Sequence, residues 1–207
     1  HNYEWKTLTF WCRPRALKAK RQPVSKTRNA SGKTVELRPR WEIKHLRHQF
    51  EATDCFMRKG SVYIGGGNQG RISKIRISDG KIMWSTDSQQ SYQPSYPVSN
   101  GKVVVFGRYY EDHSIVGLDD RNGALRWTIP TQDQCMSAAC FADDLVFLGS
   151  YDNHVYAIDW DSGTRRWKTE LPSPIWSTPT TYGKQVLIGT QKPEEIKLLL
   201  KKRLEEA

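Results

Sequence analysis

Four tryptophans recur at nearly constant spacing: Trp41, Trp84, Trp127 and Trp167 stand 43, 43 and 40 residues apart. Three of them close one short pattern, with Gly80, Gly123 and Gly163 each four residues ahead of the indole. A second marker keeps the same beat. Short apolar runs end at Gly65, Gly107, Gly149 and Gly189, which are 42, 42 and 40 residues apart. Two independent markers with one period restrict the chain to a repeat architecture, in which each unit buries its apolar face against the next.

Each period reads as a series of short strands, most clearly in the third. Asp144–Gly149 is an apolar run, Tyr151-Asp152-Asn153 a turn, and His154–Asp159 alternates as a half-buried strand does. Asp161-Ser162-Gly163 is a second turn, Thr164–Thr169 carries Trp167, and Ile175-Trp176-Ser177-Thr178-Pro179 begins a fourth strand. Four strands every 40–45 residues or about that are the signature of β-propeller blades. On this reading Trp41, Trp84, Trp127 and Trp167 are structural. Each is a flat, bulky side chain that wedges one twisted sheet against the next. The turn carboxylates Asp79, Asp119 and Asp159 recur with the fold and are expected to bind nearby backbone.

The apolar strand ending in glycine, followed by Ala157-Ile158-Asp159 and then Gly163-x-x-x-Trp167, resembles the PQQ-like repeat family across about residues 36–190. That resemblance implies a propeller whose tryptophan docks between neighbouring blades. The family includes quinoprotein dehydrogenases, an outer-membrane assembly scaffold of Gram-negative bacteria, propellers of adenylate-forming enzymes, and sensor kinases. The dehydrogenases use adjacent cysteines, a calcium site and a catalytic Asp. Here Cys12, Cys55, Cys135 and Cys140 include no adjacent pair. The expectation is therefore no PQQ, no catalytic residue, no metal and no enzyme activity, and a likeness to the scaffold propellers. No C-x-x-C is present either, so reduced, structural thiols are expected.

The expected architecture is all-β: three complete four-stranded blades (60–97, 101–140 and 143–180) and a split or incomplete fourth. Strand 184–189 opens a blade that the sequence does not finish, while Leu37–Trp41 finishes one that it does not open. Closure within the chain, a fragment of a longer propeller, and closure by a second copy all satisfy that pattern. The domain reading is a basic extension over 1–35, repeats over 36–190 and a helical tail over 191–207. In the tail Pro193 and two acids lead into Ile196, Leu199, Leu200 and Leu204.

Charge separates the front of the chain from the rest. Residues 1–48 hold 13 Lys and Arg against three acids, which accounts for the whole net charge of +10. Arg13, Arg15, Lys18, Lys20, Arg21, Lys26 and Arg28, close behind Trp5, Phe10 and Trp11, form a candidate nucleic-acid arm in which cations neutralise phosphate and rings stack on bases. The alternatives are an acidic protein partner or a solvated arm. Ser31-Gly32-Lys33-Thr34 ends like a P-loop, but Thr27 stands where that motif needs glycine. No apolar run nears the ~20 residues of a spanning helix. The expectation is a cytoplasmic protein with no membrane contact, although the chain starts at His and a removed leader is compatible with that.

The leading functional expectation is a non-enzymatic scaffold that holds a protein or peptide partner on its loops. Its candidate contacts are Asn68 and Gln69 in the 65–70 loop, Arg108, Tyr109, Tyr110 and His113 in the 108–113 loop, and Tyr92 in the 88–96 segment. Nucleic-acid binding by the arm, and a regulatory propeller within a larger enzyme or sensor, are the alternatives.

Overall fold

The computed structural model describes residues 25–28, 34–37, 55–66, 71–86, 93–109, 112–183 and 185–190. It forms two compact units, His1–Leu46 and Arg47–Ala207. In the first, β1 (Ser25–Arg28) and β2 (Thr34–Leu37) make an antiparallel hairpin with Ser25 opposite Leu37. Lys26 and Arg28 are on β1. The other arm cations, Trp41 and the expected tail helix lie outside the described residues, as do Asn68, Gln69, Tyr92 and Tyr110.

The second unit is a row of antiparallel sheets. β3 (Phe56–Arg58), β4 (Ser61–Gly66), β5 (Arg71–Arg76) and β6 (Ile82–Thr86) pair in chain order. In the next sheet the first position is split between β7 (Gln93–Pro94) and β8 (Val98–Ser99), which both pair with β9 (Val103–Tyr109). β10 (Ser114–Asp119) and β11 (Leu125–Pro130) complete it. The third sheet is β12 (Cys140–Ala142), β13 (Leu145–Gly149), β14 (His154–Asp159) and β15 (Arg165–Glu170). β16 (Thr180–Tyr182) and β17 (Gln185–Leu187) pair as the start of a fourth. Among the described residues there is no helix.

The sheets are blades, with a different phase from the one expected. The segment from Ile175 does not close the blade of Trp167, and residues 136–140 do not close the blade of Trp127. Instead, Cys140–Ala142 folds forward onto β13, with Ala142 opposite Leu145, and Thr180–Tyr182 folds forward onto β17. The cause is local. Asp143, at φ 51°, and Asp144 make a tight turn that joins β12 to the strand just after it. Pairing backward would require closing a much longer loop. After each tryptophan strand the chain therefore crosses to begin the next sheet. β3 lies beside β8 and β12 beside β16, so the sheets converge along their first strands.

The apolar runs are continuous because their sheets are covered on both faces. Val104 and Phe106 of β9 pack with Tyr63, Ile72 and Trp84 of the first sheet. Val103 and Val105 of the same strand pack with Val146, Leu148, Tyr156 and Ile158 of the third. The tryptophans bridge these layers. The Trp84 indole N–H donates to the Asp120 carbonyl at 2.9 Å, and that of Trp127 to the Trp160 carbonyl at 3.0 Å. The receiving turn needs glycine twice over. Gly123 and Gly163 both have φ +74°, and a Cβ on Gly163 would lie 2.4 Å from Cγ of Trp127. Asp79, Asp119 and Asp159 each accept a backbone N–H two residues on.

Candidate functional site

One end of the second unit is built from the β9–β10 and β13–β14 hairpin loops and from the crossing segments 131–139 and 171–179. Backbone hydrogen bonds stitch them together. Thr131 N donates to His113 O (2.9 Å), Cys135 N to Arg108 O (3.2 Å) and Tyr151 N to Gln134 O (2.9 Å). Leu171 N donates to Asn153 O (2.7 Å) and Ile175 N to Ser150 O (3.2 Å). Each loop thus seats the crossing segment that follows it, and the end is a connected belt rather than separate loops.

A repeated serine latch pins the crossing segments. Ser137 Oγ accepts from Gly149 N at 2.9 Å and donates to Gly149 O at 3.1 Å. Ser177 makes the same pair of bonds to Gly189, and Ser95 Oγ accepts from Gly107 N at 2.7 Å. The marker glycines are required here by close approach. A Cβ on Gly107 would lie 2.2 Å from the Cys135 carbonyl oxygen, and one on Gly149 2.2 Å from Cγ2 of Ile175.

Beneath the belt, Asp152 is a buried anchor. It accepts from the Tyr156 hydroxyl (2.5 Å), His154 N (3.0 Å) and Gln132 N (3.0 Å). Burial alone would raise its pKa, but these donors hold the carboxyl below its ordinary value. Burial, with Asp152 beside it, pushes the Tyr156 hydroxyl up. Cys135 is fully buried and its thiol is pushed up to about 12, chiefly by desolvation. Among the described residues no three His, Cys, Asp or Glu side chains are grouped to hold a metal ion.

What the belt presents outward is aromatic and thioether surface. Trp176 is 53% exposed, its ring meets Tyr151 edge-on at 5.4 Å, and its N–H points at the Met136 sulfur, 2.6 Å away. Tyr96 is exposed beside the first latch. Arg108 and His113 flank the β9–β10 loop at this end, and Arg108 pairs with Asp112. Tyr109 is the last residue of β9. Trp176 and Met136 were missed in the sequence because the crossing segments read as strand; their 40-residue spacing was the available signal.

The blades, the docking tryptophans and the stitched loop end define a propeller-repeat protein. The family model described as outer membrane protein assembly factor BamB matches residues 29–140 and 111–198, and the chain belongs to that family. It is 24% identical over 139 residues to outer membrane protein assembly factor BamB of Salmonella typhimurium, covering 63% of this chain and 35% of that protein. It is 29% identical over 126 residues to serine/threonine-protein kinase AfsK of Streptomyces griseus, covering 56% of this chain and 14% of the kinase. The crystal structure of BamB from Moraxella catarrhalis superimposes with a TM-score of 0.54 at 21% identity, over 62% of this chain and 39% of that one. The chain therefore spans about a third of the length of the assembly factor it matches.

Proposed function

We propose that this chain is a non-enzymatic scaffold whose stitched loop end holds a protein or peptide partner. The observation that carries the reading is Trp176. It is a half-exposed indole braced by Tyr151 and Met136 on backbone that hydrogen bonds hold in place. Partner-binding hot spots are commonly aromatic anchors or arginines on rigid supports. The name of the matched family, an assembly factor, supports the same reading. Arg108, His113 and Tyr96 extend the surface with hydrogen-bonding and ring groups.

The test is a purified partner. Photo-crosslinking from position 176 in cells, followed by mass spectrometry, names it, and calorimetry measures binding of the isolated components. Trp176→Ala should weaken binding about tenfold or more with an unchanged circular dichroism spectrum. Full affinity in Trp176→Ala and in Arg108→Ala would remove the loop end from the proposal.

A second reading rests on the likeness to a segment of a protein kinase. In it, the propeller regulates an enzyme on the same polypeptide, and the gene encodes a further domain. Sequencing the full open reading frame decides this. The basic arm as a nucleic-acid contact is a separate proposal, tested by salt-dependent retention on DNA before and after Arg13, Arg15, Lys18, Lys20 and Arg21 are neutralised.

A further inference from the structure

The two joints between successive sheets share one geometry and differ in chemistry. The residue across the ladder from the docking indole is Lys74 opposite Trp84 and Gly117 opposite Trp127. The residue whose carbonyl receives the indole is Asp120 in one joint and Trp160 in the other. In the first joint Lys74 Nζ lies 2.5 Å from Asp120 Oδ2 and 2.9 Å from the Asp120 carbonyl. The Tyr63 hydroxyl and Ser99 Oγ donate to Oδ1 at 2.6 and 2.7 Å. Lys74, Asp120, Tyr63 and Ser99 are all buried. In the second joint the corresponding residues are Gly117, Trp160, Val105 and Phe141, and no charge is buried among them. At its rim Arg126 of the second sheet pairs with Asp161 of the third at 2.7 Å. The same rim positions of the first joint are Met83 and Arg121, and Arg121 turns back onto Asp119.

We propose that the Lys74–Asp120 pair is an assembly code: it lets the first sheet seat only against the second, and it keeps sheets from docking out of order within a chain or between copies. Shared docking geometry is the hazard of a repeat protein, whose units swap or misassemble through equivalent surfaces. The code works by penalty. The first sheet placed on the third would bury the Lys74 ammonium against Trp160 with no carboxylate to meet it. The second sheet placed on the second sheet of another copy would bury Asp120 against Gly117 and bring Arg126 up to Arg121. A buried charge without its partner costs far more than the pair contributes over an apolar replacement. Specificity of this kind arises from what the wrong partner leaves unpaired.

The experiment is refolding of the full chain from urea over a range of concentrations, read by size-exclusion chromatography with light scattering. The parent should return to one species. Lys74→Met/Asp120→Leu fills the joint with apolar side chains. It should keep the parent's far-ultraviolet circular dichroism, while the fraction of chain in additional, concentration-dependent oligomers rises about tenfold, as loss of ~1.4 kcal/mol of discrimination produces. If that variant does not fold, Lys74→Gln/Asp120→Asn, which keeps shape and hydrogen bonding without charge, decides with the same expected rise. A folded variant that returns to the parent's single species at every concentration overturns the proposal.

Discussion

Gly117 lies directly across the β10–β11 ladder from Trp127, and a Cβ on it would sit 2.2 Å from Cε2 of that indole. The indole lies over the glycine, is only 8% exposed, and reaches the Trp160 carbonyl from there. In the third sheet Ala157 holds the same ladder position opposite Trp167, and Trp167 is only half-buried. Gly117→Ala should therefore lift Trp127 and stretch its hydrogen bond, at a cost of about 1–3 kcal/mol. Urea denaturation followed by tryptophan fluorescence checks both effects, because a lifted indole emits to the red in the native state.

The serine latches should differ in weight. Ser137 is buried, and its hydroxyl satisfies both the N–H and the C=O of Gly149. Ser137→Ala strands two buried backbone groups and should cost about 1–3 kcal/mol. Ser177 makes the same bonds to Gly189 from a half-buried site where water can replace it, so Ser177→Ala should cost less. Thermal midpoints of the two variants, measured side by side, give the order.

The polar joint sets a pH dependence whose sign is fixed. Burial opposes ionisation of Asp120, but donors from Lys74, Tyr63 and Ser99 hold its carboxyl below the usual 3.8. Burial likewise opposes charge on Lys74, yet Asp120 and Tyr63 hold its ammonium above the usual 10.5. A depressed carboxyl contributes stability above its unfolded value and loses it as pH falls through the folded one; a raised lysine loses its contribution only as pH climbs past its folded value. The joint should be firmest between these limits and weaken in acid. The urea midpoint should fall between pH 7 and pH 3 by a smaller amount in Lys74→Met/Asp120→Leu than in the parent. An equal fall in both would show that other carboxylates carry the acid response.

The two markers that made the fold legible, indole and glycine, are legible because geometry repeats them: each sheet needs one wedge and one close approach. The phase of the blades was hidden for the opposite reason. The first strands, Phe56–Arg58, Cys140–Ala142 and Thr180–Tyr182, are three residues each with no fully buried position, too short to carry a period. The sequence does not single out Lys74, because its partner Asp120 is 46 residues away in the next sheet. Trp176 and Met136 meet across two crossing segments 40 residues apart. Arg108 and His113 could be proposed because they flank a loop longer than the one in the third unit, and length is visible in a sequence where packing is not.

Thiol chemistry separates surface from core. Cys55 is exposed, whereas Cys135 is buried with its thiol pushed up to about 12. The thiolate is the reacting form, so at pH 8 Cys135 should resist iodoacetamide in the folded protein and react only when urea opens the belt. Peptide mass spectrometry over time should show Cys55 labelled before Cys135. Early labelling of Cys135 would mean that the 131–139 segment opens on its own.

The docking tryptophans should not be equivalent. Trp84 and Trp127 are at least nine-tenths buried, each with its N–H on the carbonyl of the next sheet and its ring on a turn glycine. Removing either ring leaves a cavity between two sheets, and losing Trp127 also takes its donor from the Trp160 carbonyl, whereas the Asp120 carbonyl keeps Lys74 Nζ, so Trp84→Ala and Trp127→Ala should each cost about 3–5 kcal/mol. Trp167 packs on Phe147 of its own sheet, 5.8 Å between ring centroids, and remains half-buried. Its loss removes contacts mainly within one sheet, and Trp167→Ala should cost clearly less. If denaturation shows Trp167→Ala to be as damaging as Trp127→Ala, the face that carries Trp167 is buried in solution by further protein, and the same chain measured across a concentration series reveals whether that cover is a second copy.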